Sequence, residues 1–468
     1  MSTKYDVVII GAGPGGYVAA IKAGQAGLKV ACIDKAQLGG ICLNWGCIPT
    51  KAFLKSAEVF NAMKHPENYG LSIEGTAKAD LGAIIDRSRN VSGTMTQGID
   101  FLFKKNKVDH IQATAKIIAS NLIEATDAEG NKTLIETKNV MIATGASPVA
   151  LPFAPIDGTN IMSYRHALSE REQPKKLLVI GAGAIGTEFG YFFNSIGTEV
   201  HIVEMADQLL PVEDADTAKV LKTQFKKQGI KVYTKTKTKS VEIIEDGKIK
   251  VTLENAKGKE TEIEVDRVLS AVGMKANSQG LGLENAGVEL DNRGNIIVNE
   301  FQETSSKGIY AIGDVAGRQM LAHKASAEGE VAIAHIAGQN VHGVNYGQIP
   351  GCTYCQPQVA SVGLTEKAAK DAGYSLKIGK FPFTASGKAH GVGAPEGLVK
   401  LIFNKDTDEI LGAHIVGYDA TEMIAELSLA MKLEATWEEI AHTVHAHPTL
   451  SEAVMECAMD ANGTAIHI

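Results

Sequence analysis

Cysteine is scarce in this sequence: Cys32, Cys42, Cys47, Cys352, Cys355 and Cys457 are the only six among 468 residues. That is too few for a disulfide scaffold of this size, and a cytoplasmic chain with one special pair is the expectation. Excess positive charge is missing too. Lys and Arg total 46 against 54 Asp and Glu, a net charge of −8. No basic face is left over to neutralise a run of phosphates, so no nucleic-acid partner is expected. No apolar run reaches the roughly 18 residues that a membrane span needs. The opening MSTKYDVVIIGAG enters a strand-like run within a few residues, so neither a signal nor a transit peptide is expected. Glycine, by contrast, is plentiful at 48 residues, which fits many tight turns and close backbone approaches. The length suggests about three domains.

Two segments repeat one pattern. DVVIIGAGPGGYVAAIKAGQAGLKVACIDK begins at Asp6, and KLLVIGAGAIGTEFGYFFNSIGTEVHIVEM begins at Lys176. Each reads as an apolar strand, G-x-G-x-x-G, a helix, a short turn and a second strand ending in an acid. The glycines are Gly11, Gly13 and Gly16, then Gly181, Gly183 and Gly186; Asp34 and Glu204 each follow the first glycine by 23 residues. The first glycine allows the tight strand-to-helix turn and the second lets a pyrophosphate approach the backbone. The third permits close helix–strand packing, and the acid accepts from a ribose hydroxyl. One such glycine turn is weak evidence; two with the same acid spacing predict two dinucleotide-binding units. Glu204 would repel a 2′-phosphate, and Met205-Ala206-Asp207 supplies no arginine to hold one, which favours NAD over NADP. Two such sites imply two cofactors, and flavin with nicotinamide is the natural redox pair. TSSKGIYAIGD (304–314), an apolar strand ending in Gly313-Asp314, and the strand-to-turn crossing ATGASP (143–148) add weaker support.

Cys42 and Cys47 stand in LGGICLNWGCIPTK, residues 38–51. A zinc clip wants a second ligand pair close by, and Cys352-x2-Cys355 is far along the chain. Two inert buried thiols and a redox pair remain open. In an unbroken helix, residues five apart lie about 7.5 Å apart along the axis, beyond easy disulfide closure. Gly46 would let the chain bend there. Pro49 suits the first turn of a helix, which places Cys47 near a helix N-terminus where a thiolate is favoured.

GGICLNWGCIPTK, the two glycine units, TSSKGIYAIGD and HAHPTLSE (445–452) together resemble the flavin disulfide reductase family, over the whole chain and in the family's order. The likeness is greatest to members that oxidise dihydrolipoyl groups for 2-oxo acid dehydrogenase complexes. It implies an α/β fold with two Rossmann-like dinucleotide-binding domains and a C-terminal α+β dimerisation domain. The expected boundaries are 1–149 for the first part of the FAD-binding domain and 150–272 for the NAD-binding domain. A central segment, 273–345, completes the FAD region, and 346–468 forms the interface domain of a homodimer. The resemblance makes Cys42 and Cys47 a redox disulfide, with Cys42 facing substrate and Cys47 facing flavin. His447 becomes the base and Glu452 its orienting carboxylate. Lys51 is placed near flavin N5 and Glu188 beside the nicotinamide. Asp34, Asp314, Thr144, Gly145 and, by a looser match, Ala115 are placed at FAD. Ala322 heads a helix whose N-terminal dipole favours the anionic reduced ring. The implied cofactors are FAD and NAD, with no metal; the implied partners are lipoylated E2 subunits and a lipoylated glycine-cleavage carrier.

There are departures. Where the family usually has V-G-R-x-P-N, this chain has Val272-Gly273-Met274-Lys275-Ala276-Asn277, which weakens any inference there beyond Gly273. Trp45 replaces a small aliphatic residue between the cysteines. Cys352 and Cys355 fall where the family has no catalytic group, and read as structural thiols. His442 and His445 read as ordinary histidines. Among relatives, glutathione, mercuric and thioredoxin reductases are disfavoured by Glu204 and by a C-terminus, CAMDANGTAIHI, without a cysteine pair. A non-enzymatic redox sensor is the rival of a different kind.

Overall fold

The computed structural model describes residues 3–468. Two compact units emerge. One comprises Met1–Ala52, Ile85–Val149 and Gly273–Val344; the other comprises Phe53–Ile84, Ala150–Val272 and Asn345–Ile468.

The first unit is built on a mixed sheet. Its strands are β1 (Thr3–Ile10), β2 (Val30–Asp34), β3 (Val108–Gln112), β4 (Thr114–Ala119), β5 (Leu122–Thr126) and β6 (Lys132–Ile142). They run in the order β3-β2-β1-β6-β5-β4, with a late strand, Ile309–Ala311, also pairing with β6. The β1–β2, β1–β6 and β2–β3 pairs are parallel, and the hairpins β4–β5 and β5–β6 are antiparallel. The continuous apolar run of β1 has a direct cause. Val8 and Ile10 pack into a cluster with Ile33, Ile117 and Ile142. Val7 and Ile9 pack into another with Ala19, Ala20 and Ala23. Those alanines belong to α1 (Pro14–Gln25). Alternate residues point to opposite faces and both faces are covered, so no polar alternation is left in the sequence. Three more helices bear on the site: α2 (Gly40–Trp45), α3 (Cys47–Lys64) and α4 (Leu81–Lys105).

The second unit has a parallel sheet whose order is Lys231–Tyr233, Glu199–Val203, Lys176–Ile180, Arg267–Ser270, Ile161–Met162. A three-stranded antiparallel sheet, Thr236–Ile243, Ile249–Asn255 and Glu260–Val265, shares a core with it through Leu178, Ile180, Val251 and Leu253. The C-terminal part is a five-stranded antiparallel sheet, with the hairpin Leu398–Asn404 and Ile410–Gly417 at its centre. Its inward residues Val399, Leu401 and Ile415 pack on Met423, Leu427 and Val454 from the helices Ala420–Lys432 and Glu452–Ala461.

One charged cluster lies inside this second unit. Lys400, 1 % exposed, donates to Asp214 Oδ1 and Asp216 Oδ2 at 2.8 Å and to Glu366 Oε2 at 2.7 Å. Burial pushes the Asp216 carboxyl up, but hydrogen bonds from Lys380 and Lys400 outweigh it and hold the group at about 2. Removing the cation would leave the buried Asp214 carboxylate and the half-buried Asp216 and Glu366 uncompensated. Lys400→Met is therefore expected to cost about 3–5 kcal/mol, read as a lowered denaturation midpoint. Because the folded value of Asp216 lies below its unfolded one, this stabilisation is full above the ordinary carboxylate range. It is lost as pH falls through about 2. An unchanged midpoint would show that the cluster contributes nothing net.

Among the described residues, no helix is long and apolar enough to cross a membrane.

Candidate functional site

The two glycine turns share one geometry. Gly11 and Gly181 hold φ +106° and +98°, where L side chains are strained, and a Cβ on either would overlap the carbonyl of Ala143 or Ala271. A Cβ on Gly16 or Gly186 would overlap the carbonyl of Gly11 or Gly181, so the first turn of each helix lies against the strand end. Gly13 and Gly183 differ: nothing lies within 4 Å of the position a Cβ would take. The backbone there is bare toward open space, at helix N-termini that carry no side-chain cap. A pyrophosphate needs both of these features.

The acids are held alike. Asp34 accepts from Ala12 N through Oδ2 at 2.7 Å and from Ala36 N through Oδ1 at 2.8 Å. Glu204 accepts from Ala182 N through Oε2 and from Ala206 N through Oε1, both at 2.8 Å. Each carboxylate oxygen keeps acceptor capacity beyond its one backbone donor, so both acids are aimed and still able to receive a ribose hydroxyl. The residues present thus fit a dinucleotide in each unit.

Other residues around the first turn are also locked. Thr144 Oγ1 donates to Asn277 O at 2.8 Å, Asn277 Nδ2 donates to Thr144 O at 2.9 Å, and Asn277 N donates to Gly145 O. Gly145 and Gly273 both take positive φ, +70° and +126°. Asp314 is the second residue of a short 3-10 turn, Gly313–Ala316, one residue after the strand Ile309–Ala311. Burial pushes its carboxyl up. Beneath it, Lys324 Nζ donates to Gly313 O and Gly317 O at 3.0 Å and to Glu328 Oε2 at 3.2 Å, while Gly313 N donates to Glu328 Oε2 at 2.7 Å. Lys324 and Glu328 are both fully buried, on the helix that Ala322 heads. Ala115 is a buried β4 residue in the core. Asn277, Lys324 and Glu328 were not singled out from the sequence. Their signal was there, as an Asn ending the departing VGMKAN segment and a Lys/Glu pair at helical spacing inside LAHKASAEG.

Cys42 and Cys47 form a disulfide, with Cα atoms 4.7 Å apart. The helix breaks at Gly46, φ −145° and ψ −111°, between α2 and α3. That break brings the pair within the separation a disulfide needs. Cys47 is the first residue of α3 and Pro49 its third, so Cys47 meets the positive end of an 18-residue helix. Lys51 follows one turn later, on the same face as Cys47.

In the second unit, Glu188 is a buried residue of the helix Ala184–Ser195, and its Oε1 accepts from Tyr354 N at 2.9 Å. His447 Nδ1 lies 2.9 Å from Glu452 Oε1, while Glu452 Oε2 accepts from Thr449 N at 2.8 Å. Burial raises the Glu452 carboxyl, but the Thr449 amide and His447 outweigh it and hold it below the usual range. Donation from Nδ1 to a carboxylate leaves Nε2 as the basic atom, on an imidazole that is 82 % exposed. His445 is engaged otherwise, Nε2 with Glu426 at 2.6 Å and Nδ1 with Thr443 O at 2.8 Å. Cys355 is buried, its Sγ 3.3 Å from Pro357 O.

Residues 5–329 match the pyridine nucleotide-disulphide oxidoreductase family, and residues 349–458 match the dimerisation domain of that family. Among curated proteins, dihydrolipoyl dehydrogenase of Rhizobium etli is 46% identical over 484 residues, covering 100% of both chains. Its counterpart from Zymomonas mobilis is 46% identical over 468 residues, again with both chains fully covered. Among solved structures, LpdA of Mycobacterium tuberculosis superposes with a TM-score of 0.89 at 28% identity, covering 97% of this chain and 99% of that one. The chain belongs to the pyridine nucleotide-disulphide oxidoreductase family, as an α/β oxidoreductase that uses FAD and NAD.

Proposed function

We propose that the chain oxidises protein-bound dihydrolipoyl groups to lipoyl groups with reduction of NAD⁺ to NADH, as the flavoprotein component of 2-oxo acid dehydrogenase complexes. The observation that carries this reading is the Cys42–Cys47 disulfide at the head of α3, in a chain with two matched glycine–acid turns. Full-length relatives that bear the name dihydrolipoyl dehydrogenase support the choice of substrate.

FAD would lie on the Gly11–Gly16 turn with Asp34, Thr144, Gly145, Asp314 and Ala322 around it, and NAD⁺ on the Gly181–Gly186 turn with Glu188 and Glu204. Bound FAD supplies two-electron transfer between the cysteine pair and NAD⁺. The remaining steps belong to the chain. His447 Nε2 takes a proton from a substrate thiol, and Glu452 steadies the imidazolium. The thiolate attacks Cys42 Sγ, a mixed disulfide forms, and Cys47 leaves as a thiolate. The substrate's second thiol then attacks its own sulfur in that mixed disulfide, closing lipoyl and releasing Cys42. Lys51 adds positive charge one turn beyond Cys47.

The clients of this reading are lipoylated E2 subunits and a lipoylated glycine-cleavage carrier, and the working form is a homodimer joined through the C-terminal domain. Its boundaries are those given above, 1–149, 150–272, 273–345 and 346–468. A fully active monomer in sedimentation would overturn the dimer. The substrate is tested by rapid mixing with dihydrolipoamide plus NAD⁺ and, separately, with glutathione disulfide plus NADPH. Rapid NADH formation from the first pair is expected. Turnover only with the second would overturn the reading, and turnover with neither would favour a redox sensor.

A further inference from the structure

The segment between the two cysteines is held by a side chain that no step above employs. Arg89, on α4, donates from Nη1 to the Asn44 carbonyl at 2.5 Å. Its guanidinium carbon lies 4.6 Å from the centroid of the Trp45 ring, which is stacking distance for a cation on an indole face. Asn44 is itself pinned, its Nδ2 donating to Leu38 O at 2.9 Å and Gly40 O at 3.0 Å and its Oδ1 accepting from Thr96 at 3.3 Å. The cation is thereby fixed beside the Cys42–Cys47 span. Two of its nitrogens, Nε and Nη2, are buried without an acceptor among the described residues. Idle buried donors cost stability, so the arrangement suits a state in which negative charge develops nearby.

We propose that Arg89, seated on Trp45, is a positioning residue that stabilises the thiolate formed when the Cys42–Cys47 disulfide opens. The proposal rests on the reading of that pair as the redox centre. Reduction by a dithiol breaks the S–S bond and closes a disulfide in the reductant. Two electrons pass to the pair, which keeps one of the two thiol protons and releases the other, leaving one thiol and one thiolate. A fixed cation favours that anion and does nothing for the neutral disulfide, so it acidifies the dithiol and favours reduction. Other charges near the pair are few. α2 carries no titratable group besides Cys42. α3 contributes Lys51, and α4 adds an exposed Asp86 and Arg87, whose Nη1 is engaged with Ala52 O at 2.8 Å. α1 contributes Tyr17, its phenol pushed up by burial. All of these stay constant when Arg89 is changed.

The test is the pH dependence of iodoacetamide alkylation in the holoenzyme reduced anaerobically with dithiothreitol. Peptide mass spectrometry separates Cys42 and Cys47 from the other four cysteines. Arg89→Gln keeps a donor for Asn44 O and loses the charge. It is expected to raise the lower alkylation midpoint by about one pH unit, and Arg89→Lys to return it toward wild type. Trp45→Val, which removes the stack but keeps the Arg89 charge, is expected to give a smaller rise. Equal midpoints in wild type and Arg89→Gln would overturn the proposal. Should Arg89→Gln not fold, Trp45→Val decides alone, an unchanged midpoint counting against. The readout is thiol acidity rather than turnover, so its failure leaves the catalytic role of the pair standing. Loss of that role would instead appear as turnover surviving without Cys47.

Discussion

Cys47→Ser is expected to abolish dihydrolipoamide-dependent NADH formation while leaving FAD bound. The reason lies in what the reaction needs from the pair. A substrate thiolate must attack a sulfur whose bond partner can leave as an anion, and a disulfide provides both in one bond. With serine at the head of α3, Cys42 has no intramolecular partner, and an alkoxide is far too basic to leave. No electrophile then exists for the substrate, and the route for the electron pair is cut at its first step. The fold should tolerate the change, because serine differs from cysteine by one atom and is well suited to a helix start. The residues of the Gly11–Gly16 turn are untouched. The check is steady-state NADH production together with flavin content. Retained NADH production at bound-flavin stoichiometry would refute the disulfide mechanism.

The second large effect is expected at His447. His447→Gln should slow turnover by about 10²–10⁴, the range for a lost general base. Glutamine can still hydrogen-bond Glu452 but cannot accept a proton at neutral pH. The substrate thiol ionises unaided only near its own pKa of about 8.5 or above. The defect should therefore shrink as pH rises, since solution thiolate then replaces the one the histidine makes. A defect of equal size at all pH values would point to misplacement of the histidine loop instead. Glu452→Gln should give a smaller loss, because the imidazole keeps a hydrogen-bonding partner but loses the negative charge, 2.9 Å away, that steadies its protonated form.

The parts of this molecule that were legible in the sequence are local. The glycine turns and their acids fall within 23 residues of one another, and the backbone shows why each position is constrained: a positive φ at Gly11, a forbidden Cβ at Gly16, bare space at Gly13. β1 and its counterpart Lys176–Ile180 read as strands because both of their faces are covered. The α/β fold and the oxidoreductase family followed from these signals in combination with GGICLNWGCIPTK. Contacts between distant residues were not legible. Lys400 meets Asp214 across 186 positions, and Arg89 meets Asn44 across 45. No periodicity or spacing announces such a meeting. A lysine in an apolar strand, such as Lys400 in LVKLIFN, signals only that a partner must come from somewhere. Trp45 was visible as a departure; its function could be framed only once the guanidinium on its face was known.

The central claim, that Cys42 and Cys47 carry electrons from a dithiol to NAD⁺, is tested most directly by following the two sulfurs themselves. Oxidised enzyme is mixed anaerobically with one equivalent of dihydrolipoamide, quenched with a thiol-alkylating label and mapped by peptide mass spectrometry, with and without a later addition of NAD⁺. The account predicts that Cys42 and Cys47 become labelled after dihydrolipoamide, and that NAD⁺ restores the unlabelled disulfide with formation of one equivalent of NADH. NADH formed while both sulfurs stay protected from label throughout would contradict it.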